Sequence, residues 1–576
     1  MVLAALLLPG QAAAKAETLE LMPGVTYTRE VREENGGRLV IHSIVAPKPG
    51  GLYELKPVLS NDLVLGRERL SEMQLRLSGA ATVAGVNGDL FTFETGHPTG
   101  IFLQNGVLQS RPVGGGSSLA IGLDGLLRVD RIDFFGSWRI GDAPPSPLAQ
   151  FNRPFDDKEK NTVGLFTWFF GGPTPRREDA VDVVLTGFPA SSPNADLPAQ
   201  IVEVRFGGGT PIPQGGAVLQ GRGFWGDRLA LEAAPGLPLT VQLMLQPWWD
   251  GVAQAIGGGP VIVKDGAPVY RSLEDFTPSQ LRPRHPRTGV GQLADGRILL
   301  VAVDGRSEES QGVNTEELAV EMIRLGAVQA MALDAGGSTE IAFDGHVLNT
   351  PSEEAERPLG DALMLFYYGA FAPEPPNRVV SPNGDGFAET QALAYKVVRP
   401  STVDVKLIAP DGSIAWAETG PRDPGVYPVG LDPAQVFQQQ GRYQWAVSAV
   451  DQDGQTTGMT RTFRVNNTLG FLALSKRFVR PKPERGGKLE VSFRLANPAW
   501  VVATVEDRSG AVVRKLRAHR TEPGEIVLLW DVKSSRKDVV PKGLYTIRVR
   551  AANGFGVASL ERKVFVNPKP PKEAPG

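Results

Sequence analysis

Two aspartates carry the first chemical signal in this chain. The segment VQAMALDAGGSTEIAFDG (328–345) runs apolar until Asp334, then turns small and polar through Ala335, Gly336, Gly337, Ser338 and Thr339. Upstream, RILLVAVDGRSEESQGVN (297–314) behaves alike, its apolar run ending on Asp304. A carboxylate at the end of a buried strand suits nucleophilic attack, proton transfer or stabilisation of a cation. Glycines beside it let backbone approach a ligand closely, and their N–H groups form an anion-binding concavity. One Asp-Gly after a strand is more often a turn. Two on one sheet edge, with Gly-Gly-Ser-Thr alongside, favour a site.

Further polar groups fall within reach of this pair. RPRHPRTGVGQLADGR gathers Arg282, Arg284, His285 and Arg287, and AERPLGD adds Arg357. A basic cluster is usually a solvated loop, but beside two carboxylates it can neutralise a phosphate, whose oxygens match guanidinium forks. AGVNGDLFTF (84–93) is an apolar run broken by Asn87, Gly88 and Asp89, a poor pattern for a plain buried strand. AIGGGPVIVKDGAPV (255–269) reads as a glycine turn feeding a hairpin.

The elements that must position these groups are legible nearby. Ile298–Val303 and Val328–Leu333 have strand length, and a helix lies between them. Asn314 suits its N-cap, Glu317 completes a capping box, and Gly326 suits the stop. Leu318, Met322 and Leu325 share one face. Strand, helix, strand predicts a βαβ unit with parallel, neighbouring strands. Asp304 and Asp334 then meet at the carboxyl edge of the sheet, where open α/β sheets place ligands.

The whole chain sets the frame. Its 576 residues exceed one core and imply two to four domains. A net charge of −3 gives no pull toward nucleic acid. With no cysteine there are no disulfides, no thiolate catalysis and no Cys-ligated zinc. Five histidines make a three-His metal site improbable. Abundant Gly (67) and Pro (47) favour a turn-rich, largely β protein. MVLAALLLPGQAAAKA (1–16) resembles the end of a secretory signal cleaved near Ala14 or Ala16, and lacking a basic segment its expected start lies upstream. No stretch is long enough for a transmembrane helix. An exported or surface-held protein is expected.

A Pro-rich connector, GAFAPEPPN, marks a boundary near residue 372. Beyond it STVDVKLIAPDGSIAW and GRYQWAVSAVDQDG alternate with period two around Asp-Gly turns. WVVATVEDRSGAVVRKL and KGLYTIRVRAANGFG repeat the layout about a hundred residues on. Two copies of a β-sandwich are expected, at 373–467 and 468–567, then a disordered tail at 568–576. The reading is an α+β catalytic domain over 17–372, with a mixed sheet and a βαβ unit at its site, followed by two all-β sandwiches.

Six motifs in order, NGDLF, GGGP, HPRTGVG…DGR, VDGRSEESQGVN, LDAGGST and ERPLGDAL, resemble the phosphodiester glycosidase family, with looser similarity over roughly residues 30–370 through FNRPF and NTVGLFT. The sandwiches resemble immunoglobulin-like modules related to the flagellar hook-capping protein, and SPNGDG (381–386) is similar to that family's opening loop. In related modules such loops coordinate calcium through oxygen ligands, but FAET follows here and favours a plain turn. The modules are read as spacers or as adhesive contacts to a surface polymer.

The resemblance implies hydrolysis of a sugar-1-phosphodiester, of the N-acetylglucosamine kind, releasing free sugar. It places site residues at Asn87 and Gly88, Arg287 and Thr288, Asp304 and Gly305, Asp334, Gly336, Gly337 and Ser338, and Arg357 and Pro358. The family's turn is Asp-Gly-Gly-Gly-Ser, and Ala335 stands here for its first glycine. If that position needs positive φ, alanine strains the loop by about 1 kcal/mol or more. Glu340 also departs from a usual small or apolar residue.

Asp334 and Asp304 are the expected nucleophile, base or stabiliser, with Glu308 in reserve. Arg287, His285, Asp89 and the Gly336–Ser338 turn are expected to bind substrate, a phosphorylated glycan, with no cofactor or metal. Two alternatives stand beside this reading. One is a metal-dependent phosphodiesterase holding a hard cation on Asp304, Asp334 and Asn87. The other is a surface module that binds phosphorylated glycans without turnover.

Overall fold

The computed structural model describes residues 15–567, apart from 35–36, 115, 157, 248–250, 270–273, 275 and 483–485. The signal-like segment up to residue 14 and the tail at 568–576 lie outside the described residues, while Lys15 and Ala16 open a strand. The chain forms two compact units, Met1–Tyr368 and Gly369–Gly576. It is mostly β: among the described residues the longest helix has ten residues, so the α+β expectation gives way to a β-rich domain with short helices.

Two sheets of the first unit build the region of interest. One contains β1 (Lys15–Met22), β2 (Val25–Glu34) and β3 (Gly37–Ala46). The other contains β4 (Tyr53–Leu59) and β5 (Thr82–Asn87). Further along come β6 (Val252–Gly257), β7 (Val261–Lys264), β8 (Arg287–Leu293) and β9 (Ile298–Val303). The helix α1 (Thr315–Arg324), β10 (Ala327–Ala332), β11 (Ile341–Phe343) and β12 (Asp361–Tyr367) complete the set. The first sheet runs β1-β2-β3-β9-β8-β10-β7, ending on the short strand Ala267–Pro268. The second runs from His346–Val347 through β11-β5-β12-β4. Residues 102–257 supply an eight-stranded and a five-stranded sheet around a core of their own.

The helix matches its punctuation. The Asn314 side chain accepts the Glu317 N–H at 2.8 Å, and the Glu317 carboxylate accepts the Asn314 N–H at 2.9 Å. Gly326 stops it at φ +99°. Leu318 and Met322 pack against Leu299, Val301 and Val303, each burial contributing on the order of 2 kcal/mol.

The βαβ expectation needs correction. β9 and β10 are parallel in direction but not neighbours: β8 lies between them, antiparallel to both. The cause is the ADG turn at 294–296. There Leu293 N–H bonds the Arg297 carbonyl, closing β8 and β9 into a hairpin that occupies the place β10 would take. Both strands still end at one edge, but Asp304 and Asp334 stand two interstrand spacings apart, roughly 10 Å.

The second unit holds two sandwiches of one design. In the first, a five-stranded sheet built on Ser401–Ile408, Gly441–Asp451 and Thr456–Val465 packs with a two-stranded sheet. In the second, Ala499–Glu506, Gly543–Asn553 and Gly556–Val566 repeat that sheet beside a three-stranded one. The acidic groups of the SPNGDG loop serve backbone amides: Asp385 accepts from Phe387 and Phe471, and Glu389 from Gly384 and Gly386.

Candidate active site

The two sheets of the first unit meet at the ends of β5 and β10, and Asn87 joins them. It is wholly buried, its Oδ1 accepting from the Thr288 hydroxyl at 2.6 Å and the Glu340 N–H at 3.1 Å. Its Nδ2 donates to the Asp334 carbonyl at 2.8 Å. Three hydrogen bonds on this one amide tie β5, β8 and the Asp334 turn together. Gly88 continues the brace: its carbonyl accepts the Asp334 N–H at 3.0 Å, and a Cβ there would lie 2.2 Å from Asp361 Oδ1.

Asp334 lines a cavity of about 210 Å³ together with Ala335, Gly336, His285, Arg287 and Arg306. Its Oδ1 accepts the Ala335 N–H at 2.8 Å. Burial raises its pKa, opposed by the Ser338 hydroxyl, the Ala335 amide and the Arg357 charge. The turn after it is a single 3₁₀ turn, Gly336–Ser338. Positive φ falls on Gly336 (+72°), whereas Ala335 is extended at φ −119° and ψ 179°, so alanine carries no strain.

A second cavity of about 240 Å³ adjoins the first, both walled by Leu90, Phe276 and Gln280. Asp89, Thr99, Ser117, Ser118 and glycine backbone line it. The cleft therefore has a basic lobe and a hydroxyl-rich lobe, each with its own aspartate.

The basic groups differ in kind. Arg287 is buried, its Nε on the Val313 carbonyl and its Nη2 on the carbonyls of Gln280, Leu281 and Pro283, so it clamps the cavity wall. Burial lowers its pKa to about 10, leaving it charged at neutral pH. Arg306 is exposed, and its φ of +59° is a left-handed conformation that costs a non-glycine residue roughly 1 kcal/mol. Its Nε donates to His285 Nδ1 at 3.3 Å. Burial, then the Arg306 and Arg287 charges, lower the His285 pKa, so the ring is neutral near pH 7 with its proton on Nε2.

The remaining expected residues stand behind or away from the cleft. Asp304 is buried and lines neither cavity: His42 Nε2 lies 3.1 Å from Oδ2, while the Asn349 amide and the Thr350 N–H donate to Oδ1. Thr288 and Ser338 are wholly buried. Arg357 lies against the turn at Gly337, its Nη1 donating to Ser338 Oγ at 3.2 Å and its Nε to Glu353. Glu308 stands exposed and lines neither cavity. Among the described residues no three His, Cys, Asp or Glu side chains converge as a metal-binding group.

Sequence reasoning missed Arg306, Asp361 and Glu340 as site components. Asp361 opens an otherwise apolar strand, DALMLFY, all of it buried, which was the available signal. Burial, opposed by the Gly100 and Leu90 amides and aided by the Asp334 charge, raises Asp89 to about 7, while burial and then the Asp89 charge hold Asp361 well above the usual carboxylate range. Burial also pushes Glu340 up to about 8, with its Oε2 unpartnered among the described residues and its Oε1 accepting the Arg357 N–H.

A β-rich domain whose cleft pairs buried carboxylates with arginines, followed by sandwich modules, is the class these features define. Residues 195–366 match the family Phosphodiester glycosidase, and residues 482–554 match the FlgD Ig-like domain. The chain therefore carries a phosphodiester glycosidase domain and an immunoglobulin-like module of the FlgD type. Over 117 residues it is 33% identical to the SPbeta prophage-derived uncharacterized protein YomE of Bacillus subtilis (strain 168), covering 20% of this chain and 18% of the relative. Over 70 residues it is 34% identical to the N-acetylglucosamine-1-phosphodiester alpha-N-acetylglucosaminidase of Bos taurus, covering 12% of this chain and 13% of that enzyme. The chain thus spans less than a fifth of the length of these relatives. A crystal structure of a hypothetical protein from Synechocystis shares the fold, with a TM-score of 0.53 at 20% identity over 61% of this chain and 64% of that one.

Proposed function

We propose that the first unit hydrolyses a glycosyl–phosphodiester bond, with a sugar-1-phosphodiester of the N-acetylglucosamine kind as substrate and free sugar as product. The observation that carries this is the two-lobed cleft, with Asp334 in the basic lobe and Asp89 in the hydroxyl-rich one. Phosphate oxygens suit Arg306, the neutral His285 N–H and the Arg287 wall. A pyranose ring suits Ser117, Ser118, Thr99 and the glycine backbone, which offer small hydrogen-bonding groups and room.

Cleavage breaks the bond between C1 and the phosphate oxygen, and the electron pair leaves with the phosphate. Its charge is met by Arg306 and Arg287, so no strong general acid is needed. Asp334 stabilises or captures the oxocarbenium-like carbon, and Asp89 takes a proton from the attacking water, giving free sugar and a phosphomonoester. Asp304 acts one layer back, holding the Asn349–Thr350 segment through Oδ1 while Oδ2 faces His42. An extracytoplasmic setting belongs to the same proposal, on the signal-like start and the appended modules, with a sugar-phosphate polymer of the cell envelope as the natural substrate.

Product analysis tests this. The full chain and its Asp334→Asn variant are incubated with an N-acetylglucosamine-1-phosphodiester, with and without chelator. Free sugar from the parent and not from the variant is expected. Sugar 1-phosphate that disappears with chelator would replace this mechanism with metal-dependent phosphodiester cleavage. Saturable binding without turnover across sugars and anomers would leave a glycan-binding module.

A further inference from the structure

Asp361 opens β12 wholly buried, yet only half of its carboxyl group is used. Its Oδ1 accepts the Asp89 N–H at 2.8 Å, while Oδ2 has no hydrogen-bond partner among the described residues. The groups facing it offer no compensating charge. Asp89 stands on the adjoining turn and Asp334 at the end of β10, both carboxyls. From the neighbouring strands β4 pairs Leu59 with it, and β6 brings the Ile256 methyl to the same spot. Arg153 and Arg357 act on its neighbours, Arg153 on Asp89 and Arg357 on Asp334.

Asp89 is served quite differently. Its Oδ1 accepts the Leu90 N–H at 2.8 Å, and its Oδ2 accepts the Gly100 N–H at 2.5 Å and the Thr99 hydroxyl at 3.3 Å. Donors on both oxygens favour the ionised form, whereas a bare buried oxygen favours the acid. Two adjacent buried carboxyls titrate as a pair, and the second proton is the hard one to remove.

We infer that Asp361 is a positioning residue that works as a neutral carboxylic acid, holding the single proton of the Asp89–Asp361 pair on Oδ2 so that Asp89 and Asp334 are the two anions presented to the cleft. Burial first, and then the Asp89 charge, push Asp361 in the required direction. The inference rests on the hydrolytic reading only for the use made of Asp89, as acceptor of the water proton.

Thermal unfolding of the full chain between pH 5 and 9 tests it without a substrate. A carboxyl whose folded pKa is raised stabilises fully below its unfolded value and loses that contribution as pH rises through the folded one. The parent's first-unit transition should therefore fall with pH. Asp361→Asn, an uncharged isostere that keeps the acceptor for the Asp89 N–H, should flatten that fall by about 3 °C or more. The variant should also keep kcat/KM within about fivefold of the parent near pH 8, where Asp89 is ionised, whereas Asp361→Ala loses the acceptor and falls further. Parallel melting curves for parent and Asp361→Asn would overturn the inference. So would failure of Asp361→Asn to fold, because a neutral group with that acceptor is what the inference places there already. A flattened curve in a chain that turns over no sugar phosphodiester would keep the proton on Asp361 and sink only the hydrolytic reading.

Discussion

Replacing Asn87 by alanine strips the join between the two sheets. Three hydrogen bonds disappear, to the Thr288 hydroxyl, the Glu340 N–H and the Asp334 carbonyl. No water can take them over without entering a wholly buried position. Each partner left unsatisfied costs about 1–3 kcal/mol, and partial relaxation brings the sum to roughly 3–5 kcal/mol. A folding unit of this size shifts its melting temperature by about 1.3 °C per kcal/mol, so a fall of ~4–6 °C is expected. Calorimetry of the full chain is the suitable assay. The two units should unfold as separate transitions, and only that of Met1–Tyr368 should move. Turnover should fall with it, because the Asp334 carbonyl sets where the adjoining carboxylate points. Asn87→Asp is an informative partner: it keeps the acceptor for Thr288 and Glu340 but sets an oxygen against the Asp334 carbonyl. A first transition within about 2 °C of the parent for Asn87→Ala would refute the argument that this amide carries the join.

Three other substitutions probe neighbouring claims. Because Ala335 is extended, Ala335→Gly should lower stability by about 0.5–1 kcal/mol in urea unfolding and bring no gain in turnover; a stabilised variant would mean that the turn wants positive φ there. Glu340 is raised to about 8 by burial, so its contribution to stability is present at pH 4 and lost as pH rises toward and past 8. Glu340→Gln should remove that part of the decline, as read from melting temperatures at pH 5 and 8.5. Arg306→Gly should hold or raise the melting temperature by relieving the left-handed φ, while weakening inhibition by inorganic phosphate about tenfold. Unchanged inhibition would remove Arg306 from the phosphate lobe.

Local signals were read well where local chemistry decides the structure. The Asn314–Glu317 capping box and the Gly326 stop are contacts between residues a few positions apart, and both appear as expected. The shared edge of Asp304 and Asp334 also follows from strand–helix–strand order. What order alone does not give is adjacency. The ADG turn makes β8 the immediate partner of β9, which the basic residues of the same segment do not announce. Long-range pairs were less legible still. Asp361 meets Asp89 only because β12 pairs with β5, which residue spacing along the chain does not announce.

The motif residues divide in a way that bears on what such motifs encode. Asn87, Thr288, Asp304 and Ser338 are all buried and hydrogen-bonded, Asn87 to Thr288, Asp304 to the Thr350 N–H and Ser338 to Arg357. A buried polar group tolerates few substitutions, because a partner left unpaired costs more than the bond contributes. The motifs therefore supply both a buried frame that holds Asp334 and, through His285, Arg287, Arg306 and Asp334, the wall of the basic lobe. The second lobe adds Thr99, Ser117 and Ser118, which lie outside the motifs, to Asp89, Leu90 and Gly258, which lie within them. If the frame positions the reacting carboxylate and the loops touch the sugar, then exchanging Ser117 or Ser118 should change which sugar is accepted while leaving the first unit's stability in place. Exchanging Thr288 or Asn87 should instead lower stability and turnover together for every sugar.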